Sequence, residues 1–167
     1  MPVKWNDLSK DQRKKVIKSH MFLNKKFEDG KFVKMKARLV VDGRMQDHMV
    51  YPDYSSPTVK MKSVMTCLKL AATKRRDLTK VDIRGTYLCA SINKSDEVYM
   101  MLDRSMTTMC NDWMPDMKEY IREDGKLIVK LDKALYGLIQ SARLWYNELS
   151  GFSLSRGFKN TRWMNVY

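Results

Sequence analysis

The alternation of apolar and polar residues around one Asp-Gly pair constrains the fold of this chain more than any other feature. Residues 21–27 precede Asp29-Gly30, and residues 31–41 follow it. An Asp-Gly pair between alternating segments is the strongest short-range indication of a β-hairpin. Successive strand residues point to opposite faces. The second strand then has an apolar face with Ala37, Leu39 and Val41. Its other face carries a row of three cations, Lys34, Lys36 and Arg38.

The charge of the chain indicates a polyanionic partner. The net charge is +13, from 32 Lys and Arg against 19 Asp and Glu, and residues 1–44 alone contain 13 Lys and Arg against 5 Asp and Glu. A surface this basic repels itself unless it binds a polyanion such as nucleic acid or an acidic membrane. No apolar run is long enough to span a bilayer, and the N-terminus lacks the apolar segment of a secretory signal. Nucleic acid is therefore favoured, and a solvated Lys-rich surface is the alternative.

The cysteines argue against a covalent or metal-based framework. Cys67, Cys89 and Cys110 are odd in number and widely spaced, and both histidines lie apart from any Cys pair. This pattern argues against a disulfide framework and against a zinc site. It predicts a reducing, intracellular compartment, either the cytoplasm or the nucleus.

Hydrophobic periodicity predicts three helical segments. Residues 1–19 have helix-like spacing with Leu8 and Val16-Ile17 as apolar markers. A second helix is predicted to begin after Ser56-Pro57 and to extend through residue 72, and a third runs from Gln140 to about Ser153. In the third helix, the residues predicted to pack in the core are Trp145 and Leu149.

Alternation predicts further strands at residues 79–84, 97–102 and 126–131, the last following a second hairpin turn at Glu123-Asp124-Gly125. Residues 104–119 show no clear period. Helices and hairpins are mixed without a regular strand–helix–strand rhythm, so the predicted fold class is α+β.

Four motifs, in order and at matching spacing, carry a family resemblance. Residues 133–146 read Lys-Ala-Leu-Tyr-Gly-Leu-Ile-Gln-Ser-Ala-Arg-Leu-Trp-Tyr, and the three earlier motifs lie at residues 36–43, 51–61 and 78–100. Together they resemble the copia-type reverse transcriptases of LTR retrotransposons, whose version of the longest motif is Lys-Ala-Leu-Tyr-Gly-Leu-Lys-Gln-Ser-Pro-Arg-x-Trp-Tyr. The resemblance covers residues 20–167, and residues 1–19 more faintly.

This resemblance implies the fingers and a partial palm of a reverse transcriptase in one domain. Residues 1–19 would form a leader helix, residues 20–60 the fingers hairpin, and residues 61–167 parts of the palm and fingers. The family's Tyr-Val-Asp-Asp hairpin lies beyond Tyr167, so the expected palm is truncated before it. The implied activity is RNA-directed DNA polymerisation, with an RNA template or RNA–DNA hybrid, dNTPs and Mg²⁺.

The resemblance makes Asp82 the expected catalytic metal ligand. Nucleotide addition in this family uses two Mg²⁺ ions about 4 Å apart, which require several carboxylate oxygens at one point. Asp82 would be the first carboxylate, with the backbone carbonyl of Ile83 as a further ligand. The other carboxylates belong to the Tyr-Val-Asp-Asp hairpin. The alternative for Asp82 is a partly exposed carboxylate at a strand end, near Lys80 and Arg84.

Three further residues are expected to bind the incoming nucleotide. Lys36 and Arg38 would hold the triphosphate, for which Arg offers a bidentate fork, and Tyr87 would stack beneath the sugar. The alternatives are exposed strand cations for Lys36 and Arg38, and an aromatic packed in the palm for Tyr87.

The turn before the last helix is expected to contact nucleic acid. By resemblance, Tyr136 and Gly137 approach the templating base pair, where a glycine permits close backbone approach. Gln140 and Arg143 follow and would touch template phosphates. The alternatives are an ordinary turn before a helix for Tyr136 and Gly137, and solvent-facing side chains for Gln140 and Arg143.

The sequence also departs from the family pattern. Ile139 replaces a usual Lys, Ala142 a usual Pro, and Ser55 a usual Phe. With one expected metal-binding carboxylate, the chain alone is predicted to lack polymerase activity. Two other functional hypotheses remain. The first is a module that binds RNA or an RNA–DNA hybrid, and the second is a non-functional remnant of a mobile element.

Overall fold

The computed structural model describes residues 1–51, 54–93 and 95–159 and contains one five-stranded sheet with order β1-β5-β4-β2-β3. Its strands are β1 (Pro2–Val3), β2 (Ile17–Glu28), β3 (Lys31–Val41), β4 (Tyr99–Leu102) and β5 (Leu127–Lys130). Its helices are α1 (Lys10–Lys14), α2 (Met61–Thr73), α3 (Arg104–Trp113) and α4 (Ser141–Ser155). Short 3-10 helices lie at Trp5–Asp7, Gly43–Met45, His48–Val50, Thr86–Cys89 and Pro115–Tyr120. This mixed architecture agrees with the predicted mixture of strands and helices.

The hairpin of β2 and β3 confirms the prediction made from Asp29-Gly30. The antiparallel pairing runs from Ser19 opposite Val41 to Glu28 opposite Lys31, with one irregularity between Lys26 and Phe27. Asp29 and Gly30 have φ values of 50° and 76°. Positive φ at both central residues is what a two-residue type I′ turn requires, because its twist matches that of the strands.

The register of this hairpin separates an apolar face from a cationic face. Ser19 and Val41 are buried at its base. The same face continues outward through Met21, Leu23, Met35, Ala37 and Leu39, and it also carries Lys25 opposite Met35. The opposite face carries Lys26, Lys34, Lys36 and Arg38 together with Phe22 and Asn24, and Lys26 is ion-paired with Glu28. The outer half of the hairpin is exposed on both faces, so it extends beyond the core.

The core lies around β4 and β5, which pair with each other at the centre of the sheet. Leu127 and Ile128 have no solvent exposure. Each belongs to a different cluster of buried side chains. The cluster of Leu127 also contains Ile17, Val41, Ile92, Val98, Met100, Leu102, Met106 and Leu138. The cluster of Ile128 also contains Leu8, Val16 and Tyr99. The base of the hairpin is therefore anchored in the core through Ile17 and Val41.

Residues 1–19 do not form the predicted helix. They form β1, a 3-10 helix, the five-residue α1 and the start of β2. Leu8 and Val16, two of the apolar markers of that prediction, are buried, but Ile17 lies in β2, where it pairs in parallel with Met100 of β4. β-Branched residues pack well on a pleated surface, and pairing with β4 overrides the helical spacing of this segment.

The strand predicted at residues 79–84 is also absent. Residues 76–83 have no regular structure, and no described strand pairs with them. A buried strand needs a partner for its backbone N–H and C=O groups, and alternation alone supplies none.

The second predicted hairpin is half correct. Its turn forms, with Arg122 N donating to Lys126 O at 3.0 Å, but β5 pairs with β4 and β1 instead of with the segment before the turn.

Helices α2 and α4 confirm two predicted helices, but both are more exposed than expected. α2 buries only Ala71. In α4, Trp145 is half-buried, while Leu149 is 38% exposed, so the core position predicted for Leu149 is wrong. α3 occupies residues that showed no period; its first turn is capped by the Asp103 carboxylate, which accepts from Met106 N at 2.9 Å. Among the residues described, each helix is too short or too polar to cross a lipid bilayer.

We expect Leu127→Ala to lower the free energy of unfolding by about 3 kcal/mol, because it leaves a cavity in the core. Leu23→Ala makes the same chemical change at a side chain that is 62% exposed, and it should cost less than about 0.5 kcal/mol. Urea unfolding of both variants measures the difference as a shift in midpoint. Equal shifts would show that the apolar face of the hairpin is covered in solution.

Candidate nucleic-acid interface

The end of β3 lies directly against the turn that precedes α4. Val41 N donates a hydrogen bond to Tyr136 O at 2.9 Å. The Tyr136 ring contacts the Tyr87 ring edge to face, with 4.7 Å between the centroids. The 3-10 helix Thr86–Cys89, which contains Tyr87, packs against α4. The structure thus brings together three of the predicted site residues, Tyr87, Tyr136 and Gly137, at the base of the β2–β3 hairpin.

Gly137 is required by this contact. Its φ is +96°, and a Cβ built on it would lie 1.9 Å from Val41 O and 2.9 Å from Val40 Cγ1. Gly43 faces the same junction, since a Cβ there would lie 2.1 Å from Gly137 O. From the sequence, Gly137 was predicted either to allow close approach of the backbone to nucleic acid or to form an ordinary turn before a helix. The structure supplies a different reason, which is close approach to the backbone of β3.

The Gln140 side chain points into the protein, which corrects the expectation that it touches template phosphates or faces water. Its exposure is 5%. Its Oε1 accepts from Gln46 Nε2 at 3.0 Å, and Gln46 Oε1 accepts from Ile139 N at 2.9 Å. Gln46 was not among the predicted site residues. Nothing in the local pattern marks it, because its partners lie far along the chain.

Lys36 and Arg38 lie on β3, where they are exposed and stand opposite Asn24 and Phe22. Neither forms an ion pair with a described residue. At about 3.3 Å per residue, Arg38 is roughly 10 Å along the strand from Val41. The two cations therefore lie on the same hairpin that contacts Tyr136, towards its exposed end.

Arg143 lies in the first turn of α4. Its guanidinium carbon is 5.7 Å from the centroid of the Tyr146 ring, and the residue is half-buried. A cation over an aromatic face is attracted by the ring quadrupole. This contact holds the Arg143 side chain over Tyr146, which lies three residues further along α4.

Asp82 and Ile83 are exposed and lie outside regular structure. The Ile83 carbonyl accepts a hydrogen bond from Thr86 Oγ1 at 3.0 Å, and Gly85, at φ 61°, is the N-cap of the 3-10 helix that contains Tyr87. Within the described residues, no group of three or more His, Cys, Asp or Glu side chains could hold a metal ion. Because Mg²⁺ binds through several oxygens in near-octahedral geometry, Asp82 and its described neighbours do not form a complete magnesium site.

The segment that follows β3 is ordered by its own polar contacts. Asp42 and Arg44 form a bidentate pair, with both distances 2.8 Å, and the Arg44 side chain lowers the pKa of the Asp42 carboxyl by donating to it. Burial raises the pKa of the Tyr51 hydroxyl. The backbone from Asp42 to Gln46 thus carries Gln46 to the turn before α4 in a defined conformation.

A family model described as reverse transcriptase (RNA-dependent DNA polymerase) matches residues 3–165 of this chain. The chain belongs to the reverse transcriptase family. The Pol polyprotein from transposon TNT 1-94 of Nicotiana tabacum is 33% identical over 144 residues, which cover 84% of this chain and 10% of the polyprotein. The transposon Ty1-H Gag-Pol polyprotein of Saccharomyces cerevisiae is 32% identical over 157 residues, 92% of this chain and 8% of the polyprotein.

These relatives confirm the copia-type resemblance. This reverse transcriptase chain spans about a tenth of the length of the polyproteins that it matches. No solved structure matches it.

We expect Gly137→Ala to lower the free energy of unfolding by about 3 kcal/mol, because it adds steric overlap with β3 to the strain of a positive φ. Gly30→Ala is the matched control. Gly30 also has a positive φ, of +76°, but a Cβ there would meet nothing within 4 Å, so we expect a cost of about 1 kcal/mol. Chemical denaturation measures both. Equal costs would contradict the close contact between Gly137 and β3.

Proposed function

We propose that this chain forms the fingers and the first part of the palm of a copia-type reverse transcriptase, and that it binds an RNA template or RNA–DNA hybrid. The observation that carries the proposal is the cationic face of the β2–β3 hairpin, with Lys26, Lys34, Lys36 and Arg38 along one side. The base of this hairpin contacts the turn before α4. Phosphates are the ligands that such a row of exposed cations would bind.

Lys36 and Arg38 are proposed to bind the triphosphate of an incoming dNTP. Their exposure and lack of a described carboxylate partner support this role, because a triphosphate brings about four negative charges and Arg binds phosphate in bidentate geometry. Tyr87 would contact the sugar. Its ring is held against the Tyr136 ring, so the proposed nucleotide end and the proposed template end of the site share one aromatic contact.

Tyr136, Gly137 and Arg143 are proposed to contact the template strand. Tyr136 and Gly137 are exposed beside β3, and Arg143 extends from the first turn of α4. Gln140 contributes from within, since its buried side chain supports this turn. Template contacts would then come from two elements, the hairpin and α4.

Asp82 is proposed to supply one of the carboxylates that bind Mg²⁺, with the Ile83 carbonyl beside it. Bound Mg²⁺ would stabilise negative charge on the phosphate oxygens during nucleotide addition. The remaining carboxylates are not found near Asp82 in the described residues. The catalytic part of the proposal therefore depends on groups outside them, whereas nucleic-acid binding does not.

The first test is the salt dependence of binding to an RNA–DNA hybrid. Each phosphate neutralised contributes about 0.9 to the slope of log affinity against log salt. The triple variant Lys34→Gln, Lys36→Gln, Arg38→Gln should lower this slope by about 2 to 3. The control Lys10→Gln, Lys14→Gln, Lys118→Gln removes the same charge from α1 and the Pro115–Tyr120 helix and should leave the slope within about 1. Equal losses in both would indicate non-specific attraction to a basic protein.

The second test is template-dependent dNTP incorporation by the purified chain with Mg²⁺. We expect none, because one carboxylate does not assemble a two-metal site. Asp82→Asn should leave hybrid binding unchanged, since the cationic face of the hairpin does not include Asp82. Incorporation that Asp82→Asn abolishes would overturn the expectation and establish a working polymerase.

The hybrid measurement also separates the two alternative functions. Hybrid binding whose affinity falls steeply with salt, without incorporation of dNTP, would support a nucleic-acid binding module. Absence of binding by monomeric, folded protein would favour a remnant of a mobile element without a retained function.

A further inference from the structure

One side chain links the segment after β3 to both residues that precede α4. Gln46 accepts from Ile139 N through Oε1 at 2.9 Å and donates to Gln140 Oε1 through Nε2 at 3.0 Å. Both atoms of its amide are thus engaged across a separation of more than 90 residues in sequence. Gln46 itself is half-buried, and Gln140 is almost fully buried.

Three other links cross this junction within the described residues. They are the Val41–Tyr136 backbone hydrogen bond, the close approach of Gly43 and Gly137, and the contact of the Tyr51 hydroxyl with the Gln140 side chain. The first two links join β3 to the beginning of the turn. The Gln46 amide instead contacts Ile139 and Gln140, where the turn ends and α4 begins. It therefore joins the segment after β3 to the start of α4.

Loss of this amide would leave two polar groups without a partner. The Ile139 N–H would lose the acceptor given by Gln46, and Gln140 Oε1 would lose its donor. Gln140 Nε2 is also buried, and the Gln140 side chain contacts the Tyr51 hydroxyl, whose pKa burial raises and this contact lowers. Because an unpaired polar group in a buried site carries the full cost of its desolvation, the turn would rearrange to expose Gln140 to water.

We propose that Gln46 is a positioning residue for nucleic-acid binding. It orients the start of α4, and with it Arg143, relative to the cationic face of the hairpin, so that both elements contact phosphates of one bound duplex. This inference rests on the proposed function, since it assumes that the hairpin and α4 bind the same nucleic acid. Gln46 itself contacts no phosphate in this proposal.

The test compares Gln46→Met with Gln12→Met in hybrid binding across a salt series, at a temperature well below both unfolding midpoints. Gln12 is the matched control because its side chain, like that of Gln46, both donates and accepts: it donates to Glu97 Oε2 at 2.6 Å and to Tyr99 OH at 3.2 Å, and it accepts from Ser9 N at 2.8 Å. The two donated bonds join α1 to residues at the start of β4. We expect Gln46→Met to lower the salt slope by about 0.9 or more, the equivalent of one phosphate contact, and Gln12→Met to leave it unchanged.

A double-mutant cycle with Arg143→Gln identifies the group through which Gln46 acts. Arg143→Gln should lower the slope by about 0.9 in the natural background and by much less in the Gln46→Met background. If the two changes are fully additive, or if Gln46→Met keeps the natural slope, the positioning role is wrong. A loss of thermal stability with an unchanged slope would also overturn it, because that result describes a purely structural side chain.

Gln46→Asn serves as the second variant if Gln46→Met does not fold. It is one methylene shorter and cannot reach both partners, but it retains a polar amide that water can solvate. The same slope criterion applies to it. Failure of the proposed function would give a different result from failure of the Gln46 inference. The unmodified chain would then bind the hybrid without a steep salt dependence, whatever the behaviour of the Gln46 variants.

Discussion

The close backbone contact between the end of β3 and the turn before α4 is the constraint on which the candidate site depends. Val41 N bonds Tyr136 O, and neither Gly43 nor Gly137 has room for a Cβ. Backbone atoms cannot avoid one another by changing rotamer, so this contact fixes the two segments more firmly than side-chain packing would. Through it, a hairpin that extends beyond the core acquires a defined position relative to Tyr87 and α4.

The hairpin divides its surface between two physical roles. Near its base, Ile17, Ser19 and Val41 are buried, and they anchor the hairpin in the core. Farther out, both faces are exposed and the cations line up on one of them. Lysine and arginine remain hydrated there at little cost, and they are available to phosphate at the same time. The proposed binding of a polyanion would therefore require no rearrangement of the core.

Local patterns predicted the elements whose formation depends on nearby residues. The β2–β3 turn, α2, α4 and strands β4 and β5 follow from Asp-Gly turn chemistry and from hydrophobic period. α3 was missed, because only Met106 and Thr107 of its ten residues are buried. The segment around Asp82 was predicted as a strand and is irregular, since no described strand pairs with it. Among the site residues, Tyr87, Tyr136 and Gly137 were predicted and do lie together, whereas Gln140 points inward and Gln46 was not foreseen.

The sequence by itself determined the family, the position of the hairpin turn and the face on which its cations lie. These properties depend on the identities of residues close together in the sequence, so a motif or an alternation of apolar and polar residues is enough to predict them. Only the tertiary structure decided that Gly137 is needed for contact with Val41, that Gln140 is buried against Gln46, and that residues 79–84 lack a strand partner. Each of these depends on the distance between segments far apart in the chain. That distance is set by the packing of the whole sheet, and the residues around any one position do not encode it.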